Sequence, residues 1–514
     1  MSILNKKIMS SSNKEKNLFG EQKLIDDRIK KVDSLKSLGV DPYPARFSRT
    51  HTTEEAINLY LKIEKESKES NLFESKLSLS GRVMSKRDMG SVCFIDIKDI
   101  GGTIQIFSKK DQMKENYSLL DYVDIGDIIG VCGTVFKTRR GQISIDCHEL
   151  SILTKSIRPL PDKWGGLSDH EVRFRQKYLD LISNPQAMKN AKLRSNVVRY
   201  MREFMHDSGF IEVETPILVP IAAGAQATPF ETYHNQLSEK LYLRIATELY
   251  LKKLIVGGIE KVFEIGRLFR NEGLDHNHNP EFTTIESYEA YSDYNDVMEL
   301  VENMISFIAK KINGSMIIKS KNDNIPDIDL TPPWKRLDLR KTLIDKVGID
   351  FLEVNDRESL AKKMKELKIH VDENATWGRL LDKVISSSIE PDLIQPHFLV
   401  DYPLEMSPLA KKKPDSENVV ERFEAFVMGS ELANAFSELN DPIDQRKRFE
   451  DQEKMRAIQG DLEADRLDED FLVAIEHGMP PTGGLGLGVD RLTMLLSGES
   501  SIREILLFPA MRKQ

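Results

Sequence analysis

The sequence predicts an α+β protein in which a small closed β-barrel precedes a larger domain with a mainly antiparallel sheet and flanking helices. Two observations predict this class. Between residues 77 and 153, short alternating segments are separated by turn signals, which is typical of a small barrel. From about residue 181 onward, helical patterns and strands follow one another without strict alternation, which favours an antiparallel sheet.

Length and composition limit the possible classes of protein. A chain of 514 residues exceeds a single hydrophobic core, so we expect two or three domains. No apolar run approaches the roughly 18 residues that span a bilayer, and residues 1–23 lack the apolar segment of a secretory signal. Three cysteines without C-x-x-C spacing indicate reduced thiols, so the sequence predicts a cytoplasmic protein that does not enter a membrane.

The N-terminal region combines a basic arm with helical segments. Residues 1–36 carry a net charge of +4 although the whole chain carries −9. We expect residues 1–24 to form a flexible arm, which could be a solvated tail or a nucleic-acid contact. We expect residues 25–65 to form a helical segment. Its first helix spans Glu21–Leu38, so it begins within the arm, and it ends at Gly39, before Pro42 and Pro44.

Residues 66–155 form the predicted barrel, for which an oligonucleotide-binding (OB) fold is the leading candidate. In such a barrel Phe94 could stack a base while Gln105 reads a base edge. The alternative places Phe94 in the barrel core. The predicted strands are Leu79–Met84, Val92–Ile97, Thr103–Phe107, Ile128–Phe136 and Gln142–Cys147.

A linker and hinge helix at 156–180 leads to the second domain at 181–514. Residues near 305–395 are more polar and indicate an insertion to which we assign no chemistry. Near the C-terminus, four glycines between Gly483 and Gly488 leave the backbone bare for a flat ligand. A helix begins directly afterwards with Arg491 in its first turn, where anions bind readily. The alternative is a glycine-rich turn that only caps this helix.

A strand through Phe282, Thr284, Glu286 and Tyr288 would point all four side chains to one face. A ring, a carboxylate and a phenol make a poor core but a plausible pocket wall. The preceding strand ends near Arg270, a guanidinium suited to phosphate. The alternative is a surface hairpin with solvated charges.

A second hairpin turns at Gly429-Ser430 and carries Asn434, Phe436 and Glu438 on one face. Glu424 and Glu431 could supply hard oxygen ligands to Mg²⁺. Strict alternation puts Glu431 on the other face, so joint action requires a β-bulge. The alternative is an exposed edge with solvated carboxylates.

Glu248, Glu286 and Glu438 would make a phosphate-binding pocket repulsive unless its second ligand is a cation. An ammonium 4 Å from one carboxylate gains about 4 kcal/mol at an effective dielectric constant near 20, before desolvation. A cationic amino acid meets that requirement.

Three ordered segments resemble the signatures of class II aminoacyl-tRNA synthetases: Gly209–Pro216, Phe269–Phe282 and the glycine-rich segment up to Arg491. Four further stretches are similar to lysyl-tRNA synthetases in particular: Arg158–Trp164, Asn279–Thr283, Phe436–Asp441 and Pro480–Gly484.

This resemblance implies an OB-fold anticodon-binding domain followed by a class II catalytic domain. It implies activation of L-lysine with ATP in the presence of Mg²⁺, transfer of the lysyl group to tRNA(Lys), and a homodimer with Pro216 near its interface. The implied ATP contacts are Arg270, Glu272, His278, Asn279, Phe282, Glu424 and Arg491, with Arg270 and Arg491 as catalytic residues. The implied lysine contacts are Gly224, Glu248, Glu286, Tyr288, Asn434, Phe436 and Glu438. Glu424 and Glu431 would hold Mg²⁺, and Phe94 and Gln105 would face the anticodon.

Other functions remain open at this point. An aspartyl- or asparaginyl-tRNA synthetase shares the barrel and the catalytic fold, but an anionic substrate would require a basic pocket. A ligase that attaches lysine to a protein would lack the barrel. A nucleic-acid-binding regulator with an inactive catalytic domain is the alternative from another class.

Overall fold

The computed structural model describes residues 2–66, 76–161, 170–225, 227–320, 326–459 and 467–513. The chain divides into two compact units, Met1–Gly166 and Leu167–Gln514. Residues 162–169 of the predicted linker, including Trp164, lie outside the described residues, and so do residues 67–75, which follow the predicted boundary between residues 65 and 66.

The first unit contains a closed barrel with the strand order β1-β2-β3-β5-β4, which confirms the predicted fold of this part of the chain. Buried and partly exposed residues alternate along β1, as expected when one strand face fills the barrel. Helix α1 covers both the predicted basic arm and the predicted helix after it. The elements are α1 (Ser2–Ser37), α2 (Thr53–Glu66), β1 (Leu77–Asp88), β2 (Val92–Asp99), β3 (Gly102–Lys109), α3 (Lys110–Met113), a 3-10 helix (Lys114–Tyr122), β4 (Ile128–Lys137) and β5 (Ile143–Thr154).

The second unit is built on an eight-stranded sheet within the described ranges, which confirms the α+β class. Its strands are β6 (Ile211–Glu212), β10 (Lys261–Phe269), β11 (Glu281–Ala290), β14 (Lys335–Asp338), β15 (His397–Pro403), β16 (Val419–Val427), β17 (Ser430–Ser437) and β18 (Thr482–Gly488). The order is β14-β15-β16-β17-β18-β11-β10-β6, and only the outermost pair at each edge is parallel. Short strands elsewhere are β7 (Leu218–Val219), β8 (Glu231–His234), β9 (Glu239–Leu243), β12 (Ile317–Ile318) and β13 (Ile328–Asp329).

Helices cover one face of this sheet. Ile285 of β11 and Leu485 of β18 share a hydrophobic cluster with Met201, Val301 and Leu492, which lie on three helices. The helices of the unit are α4 (His170–Arg175), α5 (Lys177–Ser183), α6 (Pro185–Asp207), α7 (Glu248–Val256), α8 (Tyr294–Asn313), α9 (Leu339–Val347), α10 (Arg357–Glu366), α11 (Trp377–Ser388), α12 (Pro442–Gln459), α13 (Glu469–Glu476), α14 (Val489–Ser497) and α15 (Ile502–Ile505). Two 3-10 helices span Glu390–Asp392 and Leu404–Met406.

The segment near 305–395, which the sequence analysis interpreted as an insertion, is not one separate piece of structure. Its first residues belong to α8, whose buried side chains pack in the main core, and β14 joins the large sheet. Helices α9, α10 and α11 form a second cluster around Leu343, Leu360 and Leu381. The segment looks polar in the sequence because each of these helices buries only one face. None of the helices in the described ranges is long and apolar enough to cross a membrane.

Candidate active site

Two adjoining pockets lie on the sheet face that the helical core leaves open. The inner pocket has a volume of about 270 Å³, and the outer pocket about 260 Å³. The two pockets share Arg270, Glu286, Asn434 and Gly486 in their walls. The inner pocket is also lined by the predicted residues Gly224, Glu248, Tyr288, Phe436 and Glu438. The outer pocket is also lined by the predicted residues Glu272, His278, Asn279, Phe282, Glu431 and Arg491.

The predicted wall on β11 has the orientation that strand alternation requires. Glu286 and Tyr288 line the inner pocket, Phe282, Thr284 and Glu286 line the outer one, and Ile285 points into the helical core. The structure therefore brings together every residue predicted for ATP or lysine except Glu424, which lies beside the pockets and within 3.4 Å of Asn434. The alternative for this segment, a hairpin with solvated charges, is excluded because Glu286 and Tyr288 are buried.

The acidic cluster of the inner pocket contains a cation that the sequence analysis missed. Lys252 lies one turn after Glu248 on α7, and its Nζ is 2.5 Å from Glu248 Oε1. The same Nζ contacts Glu438 Oε2, and both side chains are almost fully buried. Burial alone would lower the pKa of Lys252, but the two carboxylates raise it. The inference that only a bound cation could occupy this cluster was therefore too strong, since the chain supplies one of its own.

The third carboxylate, Glu286, accepts a hydrogen bond from the backbone N–H of Thr247 at 3.1 Å. Burial, with a contribution from the neighbouring Glu248 carboxylate, raises the pKa of Glu286 to about 7. Glu438 carries a second buried oxygen, Oε1, without a hydrogen-bond partner. A buried acceptor without a donor is costly, so this atom indicates a site that a donor from a ligand would complete.

Arg270 stands where the two pockets meet. Its guanidinium lies 5.2 Å from the ring centre of Phe282, and its buried Nε has no hydrogen-bond partner. The backbone N–H of Arg270 donates to Pro280 O at 2.8 Å, which fixes the start of the loop between β10 and β11. A guanidinium with an unpaired Nε beside an aromatic ring offers adjacent contacts to an anion and to a flat ring system.

Glu431 reaches the outer pocket through a bulge in β17. Phe426 pairs with Glu431 while Ala425 pairs with Ala433, so Leu432 is an extra residue in the strand. This finding confirms the bulge that strand alternation required. Because of it, Glu431 and Asn434 line the same pocket although they are three residues apart.

Glu424 is held by two residues that the sequence analysis missed. Arg422 Nη2 donates to Glu424 Oε1 at 2.6 Å, and the Tyr402 hydroxyl donates to Oε2 at 2.8 Å. Burial raises the pKa of Glu424 to about 7, with the nearby Glu431 carboxylate contributing. Arg422 lies two residues before Glu424 on one strand face, a spacing that could have revealed it.

The donor set at Glu424 and Glu431 fits a magnesium ion that a nucleotide helps to hold. Mg²⁺ commonly takes one or two carboxylates and completes its shell with substrate phosphate and water. In the part of the chain that the structure describes, no cluster of three or more metal-ligating side chains occurs. An ion at this position would therefore depend on oxygens that the protein does not supply.

Arg491 lies in the first turn of α14, as the sequence predicted. Its Nη1 donates to Glu431 Oε2 at 2.9 Å and to Glu431 O at 2.8 Å. The neighbouring Asp490 accepts from the backbone N–H of Thr283 at 2.9 Å, which ties α14 to β11. Hydrogen bonds thus join the start of α14 to the strands β11 and β17 of the pocket wall.

Two predicted nucleotide contacts already have partners within the protein. His278 Nδ1 lies 2.8 Å from Asp275 Oδ2, and this pair is largely exposed. Asn279 Nδ2 donates to Glu281 O, while Asn279 Oδ1 accepts from the backbone N–H of Ala510 at 3.0 Å. The Asn279 side chain therefore fastens the C-terminal segment to this loop, in addition to lining the outer pocket.

On the barrel, Phe94 and Gln105 lie on the same outward face of neighbouring strands. Phe94 pairs with Phe107, and their ring centres are 5.0 Å apart; Phe107 and Phe136 follow at 5.8 Å. Lys109 Nζ is 4.9 Å from the Phe107 ring centre. Placement of Phe94 in the barrel core was the alternative, and it is wrong because the core side of β2 is occupied by Cys93 and Ile95. Gln105 itself is buried and accepts from Ser144 Oγ at 3.2 Å.

Comparison with known proteins identifies the family of this chain. A family model described as tRNA synthetases class II (D, K and N) matches residues 169–512, and one described as an OB-fold nucleic acid binding domain matches residues 77–160. The chain accordingly belongs to the class II aminoacyl-tRNA synthetases and has an OB-fold domain before the catalytic domain.

Similar proteins narrow the class. Lysine–tRNA ligase of Carboxydothermus hydrogenoformans is 47% identical over 95% of this chain and 98% of its own length. The corresponding ligases of Dehalococcoides mccartyi and Listeria innocua are each 48% identical, over 96% and 98% of this chain and 98% and 99% of their own lengths. The chain belongs to the lysine–tRNA ligase family.

Proposed function

We propose that the protein activates L-lysine with ATP and transfers the lysyl group to the 3′ end of tRNA(Lys). The carrying observation is the pair of adjoining pockets, of which the inner is acidic and the outer combines Arg270, Phe282 and Arg491. An acidic wall suits ammonium groups, whereas guanidinium groups and a ring suit a nucleotide. Aspartate would meet Glu248, Glu286 and Glu438 in this pocket, so the geometry opposes the aspartyl alternative.

In the first step, an oxygen of the lysine carboxylate attacks the α-phosphorus of ATP. The bond from that phosphorus to the oxygen bridging to the β-phosphate breaks, and pyrophosphate leaves with that oxygen. Arg270 aligns the carboxylate with the α-phosphate because it lines both pockets. Phe282 and Arg491 hold the adenine between them. Alignment and charge stabilisation are sufficient, and no side chain acts as a nucleophile.

In the inner pocket, the α-ammonium of lysine lies near Gly224 and Glu248, while Glu286, Tyr288, Asn434 and Glu438 receive the ε-ammonium. The outer pocket places Glu272, His278 and Asn279 around the nucleotide. Glu424 and Glu431 would hold Mg²⁺ together with the phosphates, and the ion would supply positive charge that stabilises the leaving pyrophosphate.

The proposal extends to partners. On the barrel, Phe94 with its neighbouring rings offers a stacking face for anticodon bases, and Gln105 lies beside it. A homodimer is supported by exposed apolar side chains between residues 211 and 237, including Ile211, Ile217 and Leu218. A cytoplasmic location is supported by the three cysteines, which are all free thiols.

The test is ATP–pyrophosphate exchange with each of several amino acids in turn. We expect lysine to support exchange and aspartate and asparagine to support none. Exchange with aspartate in place of lysine would overturn the substrate assignment. Absence of exchange with any amino acid, together with retained tRNA binding, would favour the regulator.

Two glycine substitutions should have different effects. A Cβ on Gly486 would have Asn434 O, 3.7 Å away, as its nearest neighbour, so the fold accepts alanine while both pockets become narrower. We expect Gly486→Ala to lower kcat/KM for ATP and lysine by about 100-fold, with Tm nearly unchanged.

A Cβ on Gly484 would collide with Glu438 Oε1, so Gly484→Ala should impair lysine use and leave the KM for ATP within about twofold. Equal loss for both substrates in Gly484→Ala would contradict this assignment.

The pH dependence of lysine binding should follow Glu286. Below its pKa of about 7 this carboxyl is protonated in the free pocket, and it must lose the proton before it can pair with an ammonium. The KM for lysine should therefore fall as the pH rises from 6 to 8, while the KM for ATP changes little. Glu286→Gln should weaken lysine binding and flatten the profile. An unchanged slope in that variant would assign the titration to another group.

A further inference from the structure

Lys252 lies behind the wall of the inner pocket, against two of the carboxylates that line it, and the proposed mechanism gives it no role. Its side chain is fully buried, and its Nζ contacts carboxylate oxygens of Glu248 and Glu438. The ring centres of Tyr288, Phe436 and Phe471 lie 5.6 to 5.9 Å from the same atom. Carboxylates and rings thus hold the ammonium on several sides, away from water.

The formal charges around the inner pocket give this ammonium a function. In the ionised state that pairing with an ammonium requires, Glu248, Glu286 and Glu438 contribute three negative charges, and Lys252 removes one. Arg422 is paired with Glu424 at 2.6 Å, so that pair adds no net charge. The positive charge of Arg270 is not counted here, because the proposed function pairs it with the lysine carboxylate and the α-phosphate of ATP. The pocket therefore presents two uncompensated negative charges, and lysine brings two ammonium groups.

We propose that Lys252 is a positioning residue that sets the charge of the inner pocket to match an amino acid with two ammonium groups. It also fixes the Glu248 and Glu438 carboxylates on either side of the substrate. This inference rests on the proposed function. With Lys252 absent, three carboxylates would face two ammonium groups, and one buried acid would be left without a counter-charge, which is strongly unfavourable.

The observations favour this role over simple filling of space. An apolar side chain on α7 would fill the volume without placing a charge among aromatic rings. Instead, the ammonium contacts one oxygen of each of two acids and leaves Glu438 Oε1 without a hydrogen-bond partner. Lys252 thus orders both carboxylates and leaves this oxygen for a donor on the ligand.

The test measures binding of L-lysine by isothermal titration calorimetry without ATP, and the KM for ATP in the exchange reaction. We expect Lys252→Met to weaken lysine binding at least tenfold and to leave the KM for ATP within twofold. Lys252→Gln is the second variant, for use if Lys252→Met does not fold. It removes the positive charge but keeps an amide that can donate to both carboxylates. Lys253→Met is the matched control, because Lys253 neighbours it on α7 but pairs with Asp470 outside the pocket.

A double variant separates charge from structure. Glu248→Gln combined with the Lys252 substitution restores two uncompensated negative charges, so we expect lysine to bind at least threefold more tightly than to the Lys252 variant alone. A purely structural role predicts that the second substitution weakens binding further. Parent protein that binds no lysine would overturn the proposed function. Parent protein that binds lysine, together with a Lys252 variant within threefold of it, would overturn only the role of Lys252.

Discussion

Arg270→Gln should lower kcat for lysine-dependent ATP–pyrophosphate exchange by about 10²- to 10³-fold, the loss typical when one preorganised donor to a reacting group is removed. Arg270 lines both pockets, and its buried Nε has no partner in the protein. The residue is therefore poised for charge that appears only when the reactants are bound. Since no protein hydrogen bond to that Nε is lost, the free energy of unfolding should change by less than about 1 kcal/mol.

The matched control for this variant is Arg267→Gln. Arg267 lies three residues earlier on β10, is 44% exposed in its side chain and faces Glu281 at 3.6 Å. An exposed pair of this kind contributes little to stability, so exchange should stay near the parent rate. An Arg270→Gln enzyme within tenfold of the parent would remove Arg270 from the catalytic residues.

Glu438→Gln should raise the KM for lysine at least about 30-fold, because removal of one partner from a buried charge pair costs roughly 2–5 kcal/mol. The carboxylate already contacts Lys252, and its Oε1 has no hydrogen-bond partner. Glutamine keeps the shape of the side chain but loses the negative charge that pairs with the ammonium of Lys252 and with the ε-ammonium of the substrate lysine. The KM for ATP should change much less, since Glu438 lines only the inner pocket.

Steady-state exchange with lysine and ATP varied separately measures both constants. Glu289→Gln is the control on β11, where Glu289 pairs with Lys261 at 2.6 Å and lines neither pocket. A parallel increase in both KM values for Glu438→Gln would indicate a general disturbance of the site and would contradict a specific role in lysine recognition.

The period of a β-strand explains which parts of the site the sequence could predict. Alternation placed Phe282, Glu286 and Tyr288 on one wall, and the structure has them there. The same alternation placed Asn434 and Phe436 together on β17. The glycine-rich strand and the helix start at Arg491 could also be predicted from the sequence, because glycine patterns and helix starts are local features.

Contacts between distant segments were not accessible in this way. Tyr402 and Glu424 are 22 residues apart, and only the pairing of β15 with β16 brings the hydroxyl to the carboxylate. Lys252 had a local signal, since it follows Glu248 by four residues on one helix. That spacing usually indicates a surface ion pair, and nothing in the sequence indicated that α7 would bury it beside Glu438.

The extra residue Leu432 has a consequence for how this chain can change over time. Glu431 and Asn434 share β17 but are three residues apart, and the bulge places both side chains on the same face of the strand. Loss of one codon at 432 would restore regular pairing and leave Glu431 two positions before Asn434, so both side chains would still face the pockets, while the helical core would lose the buried side chain of Leu432. Such a deletion would lower the stability of the protein and leave the carboxylate in the outer pocket, so the length of the chain at this position is constrained by core packing.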